Sequence, residues 1–259
     1  MFNSLFKSLI SNTTRKVISV VPGFAQDLFY FMRGPFTYFR DGLLTVHNAD
    51  FLKNSRFSEA YETGKRTGSW AKGEPAWRVY ICCWAASKAL DLDGDFVECG
   101  VNKGGFSLAV MQYISFEKEM DRKFWLLDTF CGLSDKYVSN QERELGVMNS
   151  GYSECYDQVV MAFLRYKNVR IIRGTVPDTL DQVKAEKVCY LSIDMNCVMP
   201  EIAAAEFFWD KLVSGAVMVL DDYGWKKHIS QKHAFDEFAK TKGVQVLCLP
   251  TGQGLIFKP

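Results

Sequence analysis

Asp95-Phe-Val-Glu-Cys-Gly-Val-Asn-Lys-Gly-Gly-Phe106 decides the fold of this 259-residue chain. A short apolar run ends in an acid, gives way to glycines and continues as an amphipathic segment, which reads as a buried strand, a tight turn and a helix start. Gly100, Gly104 and Gly105 let the backbone turn and approach a ligand closely, while Glu98 and the N–H groups of a helix N-terminus offer a carboxylate and an anion cradle. That pair suits a ligand carrying both an ammonium and a carboxylate. The spacing departs from Gly-x-Gly-x-x-Gly, because Asn102 stands at the second glycine, and no Gly-x-x-x-x-Gly-Lys-Ser/Thr follows. Dinucleotides and nucleoside triphosphates are therefore disfavoured. An ordinary strand-to-helix turn is the plainer alternative.

Outward from this stretch, short β-rich runs alternate with helical ones, with strands predicted at 95–99, 123–127, 169–172, 187–193 and 215–220. Such alternation predicts an α/β domain with a parallel sheet covered by helices on both faces. After a helix at 231–241 come two closing runs, 244–249 and 254–257, joined by Pro250-Thr-Gly-Gln-Gly254. That link is too short for a crossover helix, so the last two of the seven strands must pair antiparallel. Residues 1–90 read as helices and loops, with no sustained strand alternation, and form an N-terminal helical accessory region before the main domain at 91–259. Residues 129–151 are too long for a plain connector and are expected to be a lid.

Composition narrows the function. With 48% apolar and 24% charged residues and a net charge of +1, the chain lacks the electrostatic footprint of a nucleic-acid binder. Its eight cysteines show no paired Cys-x-x-Cys spacing and are expected to be free thiols in a reducing cytoplasm. Phe2, Leu5, Phe6, Leu9 and Ile10 share one helical face near Lys7, Arg15 and Lys16. Docking on protein, its own domain or a second subunit of a homo-oligomer, is preferred over membrane contact by residues 1–25.

In a doubly wound sheet, ligands sit at the carboxyl ends of the strands, where the notable polar residues of this chain fall. Asp128 ends the second strand and can accept bonds from both ribose hydroxyls of an adenosine; capping a turn is the alternative. Gly174 and Thr175 follow the third strand, in position to lie beside an adenine. Asp194 ends the fourth strand, and Asp221 with Asp222 ends the fifth. Three clustered carboxylates repel one another unless a cation joins them, and an all-oxygen set suits Mg²⁺ or Mn²⁺. The alternative is that Asp221 or Asp222 caps the next turn. His228 and His233, the nearby histidines, read as surface or capping residues.

Together, Phe96-Val-Glu-Cys-Gly-Val-Asn-Lys-Gly-Gly105, Asp128-Thr-Phe-Cys-Gly-Leu133, Gly174 with Asp178-Thr-Leu180, Ser192-Ile-Asp194 and Asp221-Asp-Tyr-Gly224 resemble the macrocin O-methyltransferase family, from about Trp77 to the C-terminus. The resemblance implies a class I methyltransferase, Rossmann-like fold and a Mg²⁺-dependent transfer of a methyl group from S-adenosylmethionine to a sugar hydroxyl. It implies cofactor positions at Glu98, Gly100 and Asp128 and metal positions at Asp194, Asp221 and Asp222; by their places in the chain Gly104, Gly174 and Thr175 are read as further cofactor contacts, and Asp194 as placed to take the proton. The family reads Asp-x-Asp-x-Tyr after the fourth strand, whereas this chain reads Asp194-Met-Asn-Cys-Val198. Asn196 keeps an acceptor and loses the charge, so the family's macrolide sugar does not carry over. A catechol-type O-methyltransferase and a catalytically silent binding protein are the competing readings; a nicotinamide-dependent oxidoreductase is opposed by the glycine spacing and the closing hairpin.

Overall fold

A computed structural model describes residues 36–70, 73–149 and 151–259. The amphipathic start and the membrane reading of residues 1–25 lie outside the described residues. The chain divides into two compact units, Met1–Asp50 and Phe51–Pro259.

The described part of the first unit is a β-hairpin, β1 (Tyr38–Arg40) and β2 (Leu43–Thr45), with Arg40 paired to Leu43. The sequence predicts helices and loops here. What closes the hairpin is Asp41-Gly42, both left-handed at φ 51° and 75°, as a two-residue turn matching the strand twist requires. Each strand has three residues, too few to show alternation.

The second unit is built on a seven-stranded sheet: β3 (Asp95–Cys99), β4 (Phe124–Asp128), β5 (Val169–Arg173), β6 (Val188–Ile193), β7 (Leu212–Leu220), β8 (Leu247–Cys248) and β9 (Gly254–Phe257). Its order is β5-β4-β3-β6-β7-β9-β8. The first five strands in that order run parallel, while β9 pairs antiparallel with both β7 and β8. This is the α/β sheet of class I methyltransferases, with the antiparallel closing pair that the short Pro250–Gly254 link demands. Helices α1 (Ser55–Lys65) and α2 (Ala76–Ala89) belong to this same unit. The division therefore falls at residue 50/51 and not near 90, because these helices cover the sheet and its first crossover helix, α3 (Gly105–Ile114).

Period-2 alternation along β3 sends Phe96 and Glu98 to one face and Val97 and Cys99 to the other. Phe96 stands in register with Phe124 and Tyr190, and the three rings pack with Phe116 at centroid distances of 5.3–6.3 Å. On the opposite face Val97, Leu127, Leu191 and Met218 meet Phe208, Trp209, Phe235 and Phe238, from α6 (Val198–Trp209) and α7 (Ile229–Thr241). Each such buried side chain contributes roughly 1.5–3 kcal/mol. The sheet is thereby a rigid floor, and its carboxyl edge holds Cys99, Asp128, Asp194 and Asp221 in fixed register.

Residues 129–151 are not the structureless stretch that their length predicts. They contain α4 (Asn140–Glu144), capped by Ser139 with a reciprocal bond from Glu142. Glu142 is 3% exposed and its Oε1 accepts the Val198 N–H at 2.7 Å, so it caps α6 as well. Lys136 and Tyr137 bond Asp178 beyond β5, and α5 (Tyr156–Phe163) follows.

Candidate active site

Two groups of side chains converge at the carboxyl edge of the sheet. The first surrounds the β3–α3 turn. Gly100, at φ 89°, lies so close to the Asp194 backbone that a Cβ there would stand 1.8 Å from the Asp194 carbonyl oxygen. Gly104, at φ 82°, opens α3 against the Phe163 ring, where a Cβ would meet a ring carbon at 2.4 Å. Packing alone therefore demands glycine at both positions. Ser69 Oγ accepts the Gly105 N–H at 2.9 Å and so caps α3 from the α1–α2 link.

Asp128 is committed to this turn. Its Oδ2 accepts the N–H groups of Val101 and Asn102 at 2.6 and 2.7 Å, and its Oδ1 accepts the Phe130 N–H at 2.6 Å and the Thr129 hydroxyl at 3.3 Å. Burial pushes its carboxyl above the usual range, against the pull of those donors. The turn-acid role is thus realised, and one carboxylate stitches the β3–α3 turn to the loop after β4. Gly174 lies beside it, its N–H bonded to the Asp128 carbonyl at 2.9 Å, while the Thr175 hydroxyl donates to Asp178 at 2.8 Å. Glu98 is 3% exposed and its Oε2 has no hydrogen-bond partner. Burial, then the charges of Asp221 and Asp128, push its carboxyl well up. A buried acceptor without a donor is costly, at about 1–3 kcal/mol, and is relieved by a ligand that brings an N–H.

The second group is the acid cluster. Asp194, Asp221 and Asp222 each offer an oxygen within 4.8 Å of the others. Asp194 Oδ1 accepts from Asn196 Nδ2 at 3.0 Å. Burial first, then the charges of Asp221 and Asp222, raise the Asp194 carboxyl, and Asp222 is raised by burial and Asp221. Asp222 Oδ2 is buried and receives no hydrogen bond, and among the described residues His228 Nε2 stands 3.8 Å from it. A cluster of hard oxygens containing a buried acceptor without a donor fits a divalent ion such as Mg²⁺ or Mn²⁺.

Arg78, Gln253, Gln231 and Glu201 escape a reading by motif, and His228 takes a more buried place than the one expected. Arg78, on α2, forms an ion pair with Asp221 and lies between the rings of Phe106 and Trp225, 5.7 Å from each centroid. It is the lone charge amid the apolar first three turns of its helix, which is the signal that could have revealed it. Gln253, fully buried, donates to Asp221 Oδ1 at 3.0 Å. His228 stands at the N-cap position of α7, one of its two expected places, but is buried and makes no side-chain cap bond: its Nδ1 bonds Gln231 Oε1 at 2.6 Å, and Gln231 donates to Glu201 Oε1 at 2.9 Å. Because Gln231 presents its oxygen, His228 carries the Nδ1 proton. Glu201 also accepts the Met195 N–H at 3.0 Å, which ties this chain to the loop after Asp194.

Known proteins place this geometry. The profile of the macrocin-O-methyltransferase (TylF) family matches residues 81–248. The 8-demethyl-8-(2,3-dimethoxy-alpha-L-rhamnosyl)-tetracenomycin-C 4'-O-methyltransferase of Streptomyces olivaceus is 27% identical over 138 residues, 50% of this chain and 53% of that protein. The demethyldecarbamoylnovobiocin O-methyltransferase of Streptomyces niveus is 25% identical over 141 residues, 51% of this chain and 54% of that protein. The chain thus spans about half the length of the curated relatives it matches. The structure of the O-methyltransferase NovP superposes with a TM-score of 0.63 at 20% identity, over 70% of this chain and 79% of that one, which confirms the fold. With the profile covering more than half of the sequence and every motif block at a strand end of the expected sheet, the chain belongs to the macrocin-O-methyltransferase (TylF) family.

Proposed function

We propose that the protein transfers a methyl group from S-adenosylmethionine to a hydroxyl of a glycosylated small molecule, at a site that also holds Mg²⁺ or Mn²⁺. The observation that carries this reading is the convergence, on one sheet edge, of two buried carboxylate oxygens without donors: Glu98 Oε2 beside the glycine turn and Asp222 Oδ2 in the acid cluster. One calls for an ammonium-bearing ligand and the other for a cation. The family supports the reaction, and of the curated relatives one is named for O-methylation of a rhamnosylated tetracenomycin and the other for O-methylation of demethyldecarbamoylnovobiocin.

Glu98 and the first turn of α3 hold the amino acid end of the donor, Asp128 keeps the turn in shape, and Gly174 with Thr175 flank the nucleoside. Asp194, with Oδ1 held by Asn196, keeps its other oxygen free of donors among the described residues, with one lone pair for the ion and the second for the hydroxyl proton. Asp194 and Asp222 would hold the ion, which when bound supplies charge to stabilise an alkoxide, as a catalytic metal lowers the pKa of water from about 15.7 to about 7. Positioning of oxygen, methyl and sulfur in line does the remaining work. Residues 129–151 act as the lid that excludes water, hinged where Glu142 meets α6.

Calorimetry with S-adenosylhomocysteine and NAD, followed by methyl transfer to rhamnosylated and catechol acceptors with and without EDTA, tests this reading. Binding of S-adenosylhomocysteine but not NAD, and EDTA-sensitive methylation of the glycoside, is expected. Binding of NAD alone overturns the reaction, EDTA-resistant turnover overturns the metal, and preference for the catechol overturns the acceptor.

A further inference from the structure

The three carboxylates of the acid cluster are equivalent in sequence and unequal in the structure. Both oxygens of Asp221 are in use: Oδ2 in the ion pair with Arg78 and Oδ1 in the bond from Gln253 at 3.0 Å. The Gln253 amide is itself oriented, because its Oε1 accepts the Thr251 hydroxyl at 3.1 Å and its Nε2 is left to face Asp221. The Arg78 and Asp221 side chains are 16% and 4% exposed, so the pair is little screened by solvent. Asp194, by contrast, gives one oxygen to the neutral amide of Asn196, and Asp222 Oδ2 receives no hydrogen bond.

We propose that Arg78 and Gln253 hold Asp221 in the outer sphere, so that the divalent ion is bound by Asp194 and Asp222, and that Arg78 competes with the ion for the cluster. This rests on the metal reading above. A carboxylate saturated by a guanidinium and an amide has little left to give an ion, and a fixed positive charge beside the cluster repels a second one. Arg78 thereby sets how tightly the site holds its metal, and keeps the cluster folded when no metal is present.

The test is direct binding of Mn²⁺ to the intact chain, read from the loss of the free-ion paramagnetic resonance signal and needing no acceptor or turnover. Asp222→Asn is expected to weaken Mn²⁺ more than about a hundredfold, whereas Asp221→Asn stays within the ~10-fold lower end of outer-sphere changes. Arg78→Gln is expected to tighten Mn²⁺ by about tenfold or more, by releasing Asp221 Oδ2 and removing the competing charge. Equal losses for Asp221→Asn and Asp222→Asn, or unchanged or weaker binding by Arg78→Gln, overturn the proposal while leaving the metal reading intact. A wild-type chain that binds no Mn²⁺ overturns both. Should Arg78→Gln fail to unfold cooperatively, the Asp221→Asn and Asp222→Asn comparison decides alone.

Discussion

Replacing Asp128 by alanine removes the acceptor of three backbone N–H groups, those of Val101, Asn102 and Phe130, each at 2.6–2.7 Å. Each buried donor left without a partner costs about 1–3 kcal/mol, an upper sum near 9 kcal/mol. The carboxylate stands at the ligand edge of the sheet, however, where water can enter and meet part of the loss, so about 3 kcal/mol is expected. At about 2–4 °C per kcal/mol for a unit of this size, the melting temperature falls by roughly 6–12 °C. Asp128→Asn keeps one acceptor oxygen and turns an amide N–H₂ toward the other donors, so it recovers less than half of the loss. Urea denaturation gives the stability, and calorimetry on the folded variants gives the affinity for S-adenosylhomocysteine. The nucleoside ligand should weaken in step with the turn, and saturating ligand should restore part of the midpoint by mass action. An Asp128→Ala midpoint within about 0.5 kcal/mol of wild type, together with a large loss of affinity, would refute the stitching role and make Asp128 a ligand contact alone.

Three further outcomes are expected. Glu142→Ala should expose residues 129–151 to limited proteolysis and also fray α6, because Glu142 caps both Ser139 and Val198; cleavage at the wild-type rate counts against the hinge. Of the eight cysteines, Cys131 and Cys248 are exposed, and burial pushes the thiols of the buried ones up, Cys189 to about 12. A thiol reagent should therefore titrate two groups quickly and the rest only on unfolding, with Cys131 protected by ligand if the lid closes over it; a third fast thiol contradicts the packing. Burial, then the charge of Asp222, pushes the Glu201 carboxyl up to about 8. The folded chain therefore holds more protons than the unfolded one between the ordinary Glu value and about 8, and stability falls as pH rises through that window. Denaturation of chelator-treated protein should show a slope that Glu201→Gln flattens by a few kcal/mol across the window, and a parallel slope in the variant would show that the carboxyl is not buried in solution.

Local patterns made the sheet legible. The runs 95–99 and 169–172 match β3 and β5 nearly residue for residue, because apolar alternation and flanking breakers are written within a few positions of each other. The strand predicted at 215–220 begins earlier, at Leu212, since Gly215 with φ 85° reads as a breaker but sits inside a ladder whose register shifts. The run 244–249 shrinks to Leu247–Cys248, an exposed two-residue strand at the sheet edge. Its antiparallel partner was legible from the short link. That this partner inserts beside β7 was not, because strand order is a long-range property. Two short signals carry what longer-range reading misses: Asp41-Gly42 closes a hairpin whose three-residue strands are too short to alternate, and Ser139-x-x-Glu142 caps α4 inside a stretch read by its length.

The acids at strand ends were legible for the same local reason, and their partners were not. Arg78 reaches Asp221 across 143 residues, and no spacing rule links them. Asn196 shows what the missing partners change. In sequence it is an acceptor that has lost its charge beside Asp194, which argues against carrying over the family's sugar. In the structure it occupies a left-handed position, φ 58°, which asparagine tolerates better than most residues, and its Nδ2 donates to Asp194 Oδ1. A second carboxylate there would add like charge to a cluster in which burial and the neighbouring acids already push Asp194 and Asp222 up. The amide instead holds Asp194 through one oxygen without adding charge. The departure from the family pattern thus exchanges a repulsive neighbour for a donor that orients Asp194, and with Arg78 it lowers the net negative charge of the cluster.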